Sequence, residues 1–458
     1  MLGDSFFAER IMDGDRIDAE VEVATSVPRR RTHPIAEKDA AMRYSKTTSR
    51  WMSGAAILVV GVSCATAAMA QQAPAPGARS QEVIVSANLL YDSNVAASSD
   101  ALATARGIRP SDEIITPSIS FNLSRPVGRE TVFLQGSAGY DFYARNHFLN
   151  RERLDIRPGV IAEVGQCQAT ASGGYSRYQS SLRELALIAP GTPGFADVRN
   201  VVNAENVGIS ANCGRQIGLA PNASVSENWS DNSATAQKFA DSRTFSASGG
   251  LAYRSPSLGV TNLFFQYSTT DFPSRLAILG SVPSNNGYDV YSGGINYTKN
   301  LGTKIQGTAS VSYEKLIQKA SSVGGFSGLT YSANISYRAT SRLSALLILS
   351  RGITPSTRIN STYSISQSYS GELDYKLGNR LNFKLIAAHL QDHYGGLAVV
   401  SGFDLTDQSI DRQEGAASFQ LTRRIALGLD VTHEQRGANF AGLSYSDVRV
   451  GLSAKASF

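Results

Sequence analysis

The last eleven residues of the chain, VRVGLSAKASF, alternate between apolar and polar side chains up to the final residue. Every second residue from Val448 to Ala456 is apolar, and the residues between them are polar or glycine. A β-strand places successive side chains on opposite faces, so this pattern predicts a strand with one apolar and one polar face. A fold built from such strands must cover the apolar face with a packed core or with lipid.

The same two-residue period recurs throughout residues 82–458. The links between the periodic segments alternate between short turns, such as RPVGR and KLGN, and longer connections, such as residues 181–202. Short periplasmic turns and long outer loops are typical of outer-membrane barrels. The sequence therefore predicts an all-β fold, a single closed antiparallel transmembrane β-barrel of roughly eighteen strands, with about sixteen and about twenty as alternatives.

The composition is compatible with a barrel. Hydrophobic residues make up 42% of the chain, charged residues 18%, and the mean hydropathy is −0.15. These values resemble those of soluble proteins, but outward apolar and inward polar residues of a barrel also cancel in any window average. The net charge is only +5 and the one run of basic residues is Arg29 to Arg31, so nucleic acid is not an expected partner.

The N-terminal part carries the features of a secretory signal peptide. Basic residues precede an apolar stretch from Ala55 to Ala70, which ends on the A-x-A pattern Ala68-Met69-Ala70. Residues ahead of Met42 are either a misassigned or disordered leader, which we favour, or a genuine long leader. The predicted organisation is a leader at 1–41, a signal peptide at 42–70 cleaved near Ala70, a periplasmic linker at 71–81 and the barrel at 82–458.

The stretch NLLYDSNV at residues 88–95 resembles the Tyr-Asp-Ser-Asn segment near the mature N-terminus of the putative β-barrel porin 2 family of proteobacteria. That family is also similar to barrels encoded beside exopolysaccharide genes. The terminal Phe458 resembles the C-terminal signature by which outer-membrane barrels reach their assembly machinery. The resemblance covers nearly all of residues 82–458, implies a location in the outer membrane of a Gram-negative cell, and supplies no catalytic residues.

Two cysteines lie beside predicted short turns. Cys167 opens one strand and Cys213 closes another, and both belong to the predicted outward face. If these strands pair across the 181–202 connection, the cysteines meet at the periplasmic rim. The periplasm is oxidising, so the pair forms either a cross-strand disulfide or two free thiols.

The sequence does not indicate catalysis, a cofactor or a metal. No G-x-S-x-G elbow is present, and a hydrolase at the barrel rim would need a Ser/His/Asp set that nothing singles out. His389 and His393 share a strand face but are far apart for one metal ion, and the zinc-protease motif H-E-x-x-H is absent. We therefore expect no enzyme activity, no cofactor and no metal.

The inward polar row is the predicted working surface, because mixed charges in a wide lumen hold water and set the local field. The alternative is that these residues only fill and stabilise the interior. The candidate pore-lining residues are Asp141, Arg145, Arg157, Glu163, Lys304, Arg338, Glu372, Asp374, Asp430 and Arg436.

Two functions follow from these observations. The first is a porin-like channel for hydrophilic solutes, and the alternative is the barrel component of an exopolysaccharide secretion system. The expected partners are outer-membrane lipid, the barrel assembly machinery, and hydrophilic solutes or polysaccharide. From its length alone, we hypothesise that the 181–202 connection folds inward as a constriction.

Overall fold

The computed structural model describes residues 74, 77, 79–180, 182–183, 198–214, 217–275, 287–320, 324–356, 358, 361–396 and 405–458. The predicted leader, the signal peptide and most of the linker lie outside the described residues. The predicted barrel region lies largely within them. Its first strand begins at Ser80, two residues ahead of the predicted start at residue 82.

The described residues form an 18-stranded antiparallel sheet. The strands are β1 Ser80–Asp92, β2 Asp112–Val127, β3 Glu130–Tyr143, β4 Arg151–Val164, β5 Cys167–Gln179, β6 Val201–Cys213, β7 Gly218–Asn232, β8 Ser242–Ser255, β9 Gly259–Asp271, β10 Gly287–Leu301, β11 Ile305–Gln318, β12 Phe326–Arg338, β13 Leu343–Pro355, β14 Tyr363–Leu377, β15 Leu381–Gly395, β16 Asp407–Gln420, β17 Ile425–Ala438 and β18 Tyr445–Ser457.

Helical structure is confined to connections. The helix α1 spans Asp100–Ala105, and the hydroxyl of Ser99 accepts a hydrogen bond from the Leu102 amide at its start. Short 3-10 turns span His147–Leu149, Thr235–Ala240 and Ala441–Leu443. Among the described residues, no helix is long and apolar enough to cross a membrane.

The sheet closes on itself because β1 pairs with β18 as well as with β2. In this seam Leu89 lies opposite Leu452. The terminal residue contributes to closure through two backbone hydrogen bonds. The Phe458 amide donates to the Val83 carbonyl at 2.8 Å, and the Val83 amide donates to the Phe458 carbonyl at 3.3 Å. A closed sheet satisfies the backbone donors and acceptors of every strand, which a lipid environment requires. The predicted fold class is confirmed.

The connections divide the barrel into two ends. The turn end carries the short connections 128–129, 165–166, 214–217, 256–258, 302–304, 339–342, 378–380 and 421–424. Gly128 and Gly165 open the two-residue turns with φ of 64° and 63°, values that favour glycine. The loop end carries the longer connections 93–111, 144–150, 180–200, 233–241, 272–286, 319–325, 356–362, 396–406 and 439–444.

The outward rows of the strands are apolar and exposed. Leu385 on β15 and Leu452 on β18, for example, are 59% and 53% exposed. Such a continuous exposed apolar surface is what a lipid-facing barrel presents. Outward aromatic residues form a row beside the turn end, namely Tyr253, Tyr297, Tyr337, Tyr375, Phe383 and Phe419.

Small apolar clusters tie the loop-end connections together. In one cluster, Leu182 and Val198 from the two ends of the β5–β6 connection pack with Ala103 of α1 and with Leu149. In another, Leu405 packs with Leu443 and Tyr394. The loop end is therefore partly covered by packed connections, whereas the described turn-end connections are only two to four residues long.

Cys167 and Cys213 lie directly opposite each other on β5 and β6 and form a disulfide. The bond closes a loop of sequence separation 46 that contains the whole β5–β6 hairpin. Cross-linking a loop of this length restricts the unfolded chain, so we expect replacing both cysteines by serine to lower the free energy of unfolding by about 2–4 kcal/mol. Urea titration of the folded barrel, with and without reductant, measures this loss. Equal midpoints for all forms would contradict it.

Candidate functional site

The inner wall of the barrel consists of the inward rows of the strands. On β17 this row includes Glu434 and Arg436, which contact Arg183 from the β5–β6 connection. These strands lie far apart in the order of the sheet, so the contact crosses the lumen. The inward rows are predominantly polar, in contrast to the outward rows.

From β5 to β13 the inner wall is almost uncharged. Its inward positions are mainly Ser, Thr, Asn, Gln and Gly, and the charged exceptions within the described strands are Arg254, Glu314 and Arg338. Neighbouring hydroxyls bond to each other across strands, as between Ser224 and Ser248 at 2.7 Å. Such groups exchange hydrogen bonds with water at little cost, so this sector presents a neutral hydrophilic surface.

The remaining strands carry most of the charge of the inner wall. The ammonium of Lys384 lies 2.6 Å from the carboxylate of Glu372 and 4.0 Å from that of Asp374. On β4, the guanidinium of Arg157 bonds the carboxylate of Asp155 at 3.0 Å. Several charges of this sector are thus paired within the wall.

The described part of the β5–β6 connection reaches the inner wall at the loop end. The guanidinium of Arg183 lies 3.4 Å from the carboxylate of Glu434. Its backbone carbonyl accepts hydrogen bonds from Arg358 at 3.1 Å and from Arg436 at 3.5 Å. The hypothesis of an inward-folding connection thus agrees with the placement of Leu182 and Arg183, while residues 184–197 lie outside the described residues.

Glu434 is the central acid of this cluster and is buried. It accepts hydrogen bonds from the Tyr445 hydroxyl at 2.6 Å and from the Arg449 guanidinium at 2.8 Å. One carboxylate therefore joins the connection bearing Arg183 to β18.

At the C-terminus of α1, burial lowers the pKa of Arg106, and the charge of Arg358 lowers it further.

Arg275, in the β9–β10 connection, ties three loop-end connections together. Its guanidinium donates to the carbonyls of Phe239 at 3.2 Å, Ser361 at 3.0 Å and Ser356 at 3.4 Å. The guanidinium also lies 3.9 Å from the ring centre of Phe272. Burial lowers the pKa of Arg275 to about 10, so it stays charged at neutral pH.

Replacing Arg275 by methionine should loosen the loop end without opening the barrel. Each charge-assisted hydrogen bond lost is worth about 1.5–3 kcal/mol, so local opening should increase by about tenfold or more. Limited proteolysis of the folded protein measures this as faster cleavage in the outer connections. The exposed Arg243, whose ion pair with Glu227 lies on the outer face, provides the control R243M. Equal cleavage rates for R275M and R243M would contradict the assigned role.

Most of the predicted pore-lining residues lie on inward rows of the strands. Some of them meet charged partners: Asp141 lies 3.6 Å from Arg153, and Lys384 joins Glu372 to Asp374. The residues on inward rows are Asp141, Arg157, Glu163, Arg338, Glu372, Asp374, Asp430 and Arg436. The structure does not bring them together into one cluster.

Two of the predicted pore-lining residues lie outside the strands, which corrects the prediction. Arg145 follows the end of β3 in the loop-end connection 144–150, and its guanidinium pairs with Glu113 on the outward row of β2 at 3.5 Å. Lys304 lies in the turn 302–304 ahead of β11. In both cases the alternating pattern was extended beyond the end of the strand.

The sequence analysis did not single out Arg183 and Arg358, which meet Glu434 and Arg449 at the loop end of the lumen. Glu434 and Arg449 do lie on alternating strands, so the periodicity places them on the polar face. Arg183 and Arg358 lie in connections, where no periodic pattern indicates a direction. Only the length of the 181–202 segment pointed to an inward fold.

The histidines of HLQDH lie on the outer face. His389 bonds Asp411 at 2.7 Å and His393 bonds Asp407 at 2.8 Å, each across the β15–β16 pair. Each histidine therefore has its own carboxylate partner. Among the described residues, no group of three or more His, Cys, Asp or Glu is arranged to hold a metal ion.

The family model of putative beta-barrel porin 2 matches residues 206–458, which is more than half of the chain. The chain belongs to the putative beta-barrel porin 2 family. A search of the curated proteins finds no significant match. As a member of this family, the chain is a porin-like outer-membrane barrel, which the sequence resemblance predicted.

Several solved outer-membrane barrels of Pseudomonas aeruginosa are similar to this member of the beta-barrel porin 2 family. OccK2 (OpdF) is 14% identical, with a TM-score of 0.44 over 82% of this chain and 98% of that chain. The outer membrane protein opdK is 12% identical, with a TM-score of 0.44 over 83% and 99%. A mutant of the ferric enterobactin receptor (PfeA) is 10% identical, with a TM-score of 0.45 over 84% and 81%.

Proposed function

We propose that the barrel is a passive, water-filled channel for small hydrophilic solutes. The observation that carries this proposal is the neutral inner wall from β5 to β13, where hydroxyl and amide side chains line the lumen. Such a wall holds water and neither traps ions nor excludes neutral molecules. The match to a porin family supports a channel rather than an enzyme. Neither this match nor the similar solved structures favour the exopolysaccharide alternative.

The candidate pore-lining residues enter this proposal as the charged part of the wall. Glu372, Asp374 and Lys384 form a partly compensated group, in which one base faces two acids. The contacts of Arg183 with Glu434 and Arg436 support a constriction at the loop end. The proposed selection is therefore mainly by size.

Liposome swelling tests this function. Vesicles containing the folded mature chain should swell in isotonic solutions of small neutral sugars, at rates that fall steeply as the sugar becomes larger. Vesicles with heat-unfolded protein provide the control. A barrel that folds, as judged by its heat-dependent mobility in electrophoresis, but admits no sugar of any size would overturn the proposal.

A further inference from the structure

The turn end of the barrel carries a concentration of basic residues that the channel function does not use. We define the basic rim as the basic residues of the turn-end connections from β8 to β18, together with those on the outward rows within three residues of these connections. Its members are Lys299, Lys304, Arg342, Arg380, Arg423 and Arg424. Among the described residues, the turn-end connections from β8 to β18 and the strand residues within three positions of them include no acid. The acids at the turn end, Glu82, Glu130 and Glu163, lie on β1, β3 and β4.

The basic rim lacks the ion pairs that are frequent at the loop end. At the loop end, Arg145 pairs with Glu113 and Arg177 pairs with Glu152 at 2.7 Å. Within the part of the chain that the structure describes, no member of the basic rim forms an ion pair, and most of its side chains are exposed. A dense set of like charges with no acid beside it repels itself unless an anionic partner is present.

The position of the basic rim indicates what that partner is. The outward aromatic row ends directly beside it: Tyr375 and Phe383 flank Arg380, and Phe419 precedes Arg423 and Arg424. Aromatic rows of this kind lie at the level of the lipid headgroups. Residues one short turn beyond such a row therefore lie at the level of the lipid phosphates.

We propose that the basic rim binds the phosphate groups of anionic phospholipids in the membrane leaflet at the turn end. Basic residues at an anionic membrane surface gain attraction that zwitterionic lipids do not supply, about fivefold in affinity for each residue engaged. Arginine is suited to this role because its guanidinium forms two parallel hydrogen bonds with a phosphate. The surface anchors the barrel at a fixed height in the membrane.

Native mass spectrometry of the folded mature chain tests this proposal, with phosphatidylglycerol and phosphatidylcholine of identical acyl chains as probes. The unmodified protein should retain phosphatidylglycerol about fivefold more tightly than phosphatidylcholine. The quadruple variant Arg342→Gln, Arg380→Gln, Arg423→Gln, Arg424→Gln should lose most of this preference for phosphatidylglycerol. Heat-dependent mobility in electrophoresis verifies that each variant is folded.

The matched control removes four basic residues that have partners at the loop end, through Arg145→Gln, Arg177→Gln, Arg243→Gln and Lys319→Gln. This control should keep the preference for phosphatidylglycerol. Equal binding of both lipids by the unmodified protein, or an unchanged preference in the quadruple variant, would overturn the proposal. So would a quadruple variant whose ion selectivity changes while its lipid preference stays the same, because the rim would then act on solutes. The lipid-binding results do not depend on whether the channel conducts.

Discussion

Replacing Arg183 by alanine is expected to raise the single-channel conductance of the barrel by roughly twofold, because the narrowest part of a pore dominates its resistance. The Arg183 side chain holds the β5–β6 connection to Glu434 on the opposite wall at 3.4 Å. Without this contact the connection loses the ion pair of Arg183 inside the lumen, while the backbone carbonyl of residue 183 can still accept hydrogen bonds from Arg358 and Arg436. Recordings from single barrels in a planar bilayer measure the conductance. Larger fluctuations of the current should accompany the higher mean conductance.

The control for this variant is R145A. Arg145 is also an arginine of a loop-end connection, but its guanidinium pairs with Glu113 on the outward row of β2. The R145A barrel should therefore conduct like the unmodified protein. If R183A conducts no more than R145A, the β5–β6 connection does not limit the current and the assigned constriction is wrong.

Replacing Glu434 is expected to cause the second large effect, a loss of folding stability. Replacement by glutamine removes the charge between Arg183 and Arg449 and keeps the shape of the side chain. The carboxylate is buried, and its loss removes the ion pairs with Arg183 and Arg449, although Arg449 keeps its ion pair with Asp447 at 3.1 Å. Breaking a buried ion pair typically costs about 3–5 kcal/mol, so the free energy of unfolding should fall by about 3 kcal/mol. Urea titration of the folded barrel in lipid vesicles measures this loss.

Glu163 offers a matched comparison for Glu434. It also lies on an inward row, but it is exposed at the turn end and forms no ion pair among the described residues. The substitution E163Q should change the free energy of unfolding by less than about 0.5 kcal/mol. If E434Q and E163Q have the same stability, the cluster around Glu434 does not stabilise the loop end.

The fold was predictable because a barrel in lipid repeats one simple rule along its whole length. Each strand must present an apolar residue outward at every second position, so the segments ending at Ala456 or containing Leu385 are recognisable without knowledge of their partners. The alternation of short and long connections then orients the strands. Strand ends were less predictable, because the alternation of apolar and polar residues continues into turn residues such as Lys304.

The loop end of the lumen was not predictable to the same extent. The contact between Arg183 and Glu434 joins residues far apart in the sequence, and nothing local in the connection specifies its direction. Arg275 likewise bonds backbone carbonyls, which leave no trace in the residue types of their segments. The basic rim was visible in the sequence only as scattered arginines and lysines, because its density appears once the strands are placed side by side.

The most direct test of the account is the single-channel conductance of the refolded barrel in a planar bilayer. An open hydrophilic lumen predicts large, steady current steps that increase in proportion to salt concentration. The current across the same bilayer before any barrel has inserted gives the baseline. A barrel that inserts and folds but passes no current above this baseline would contradict the proposed channel.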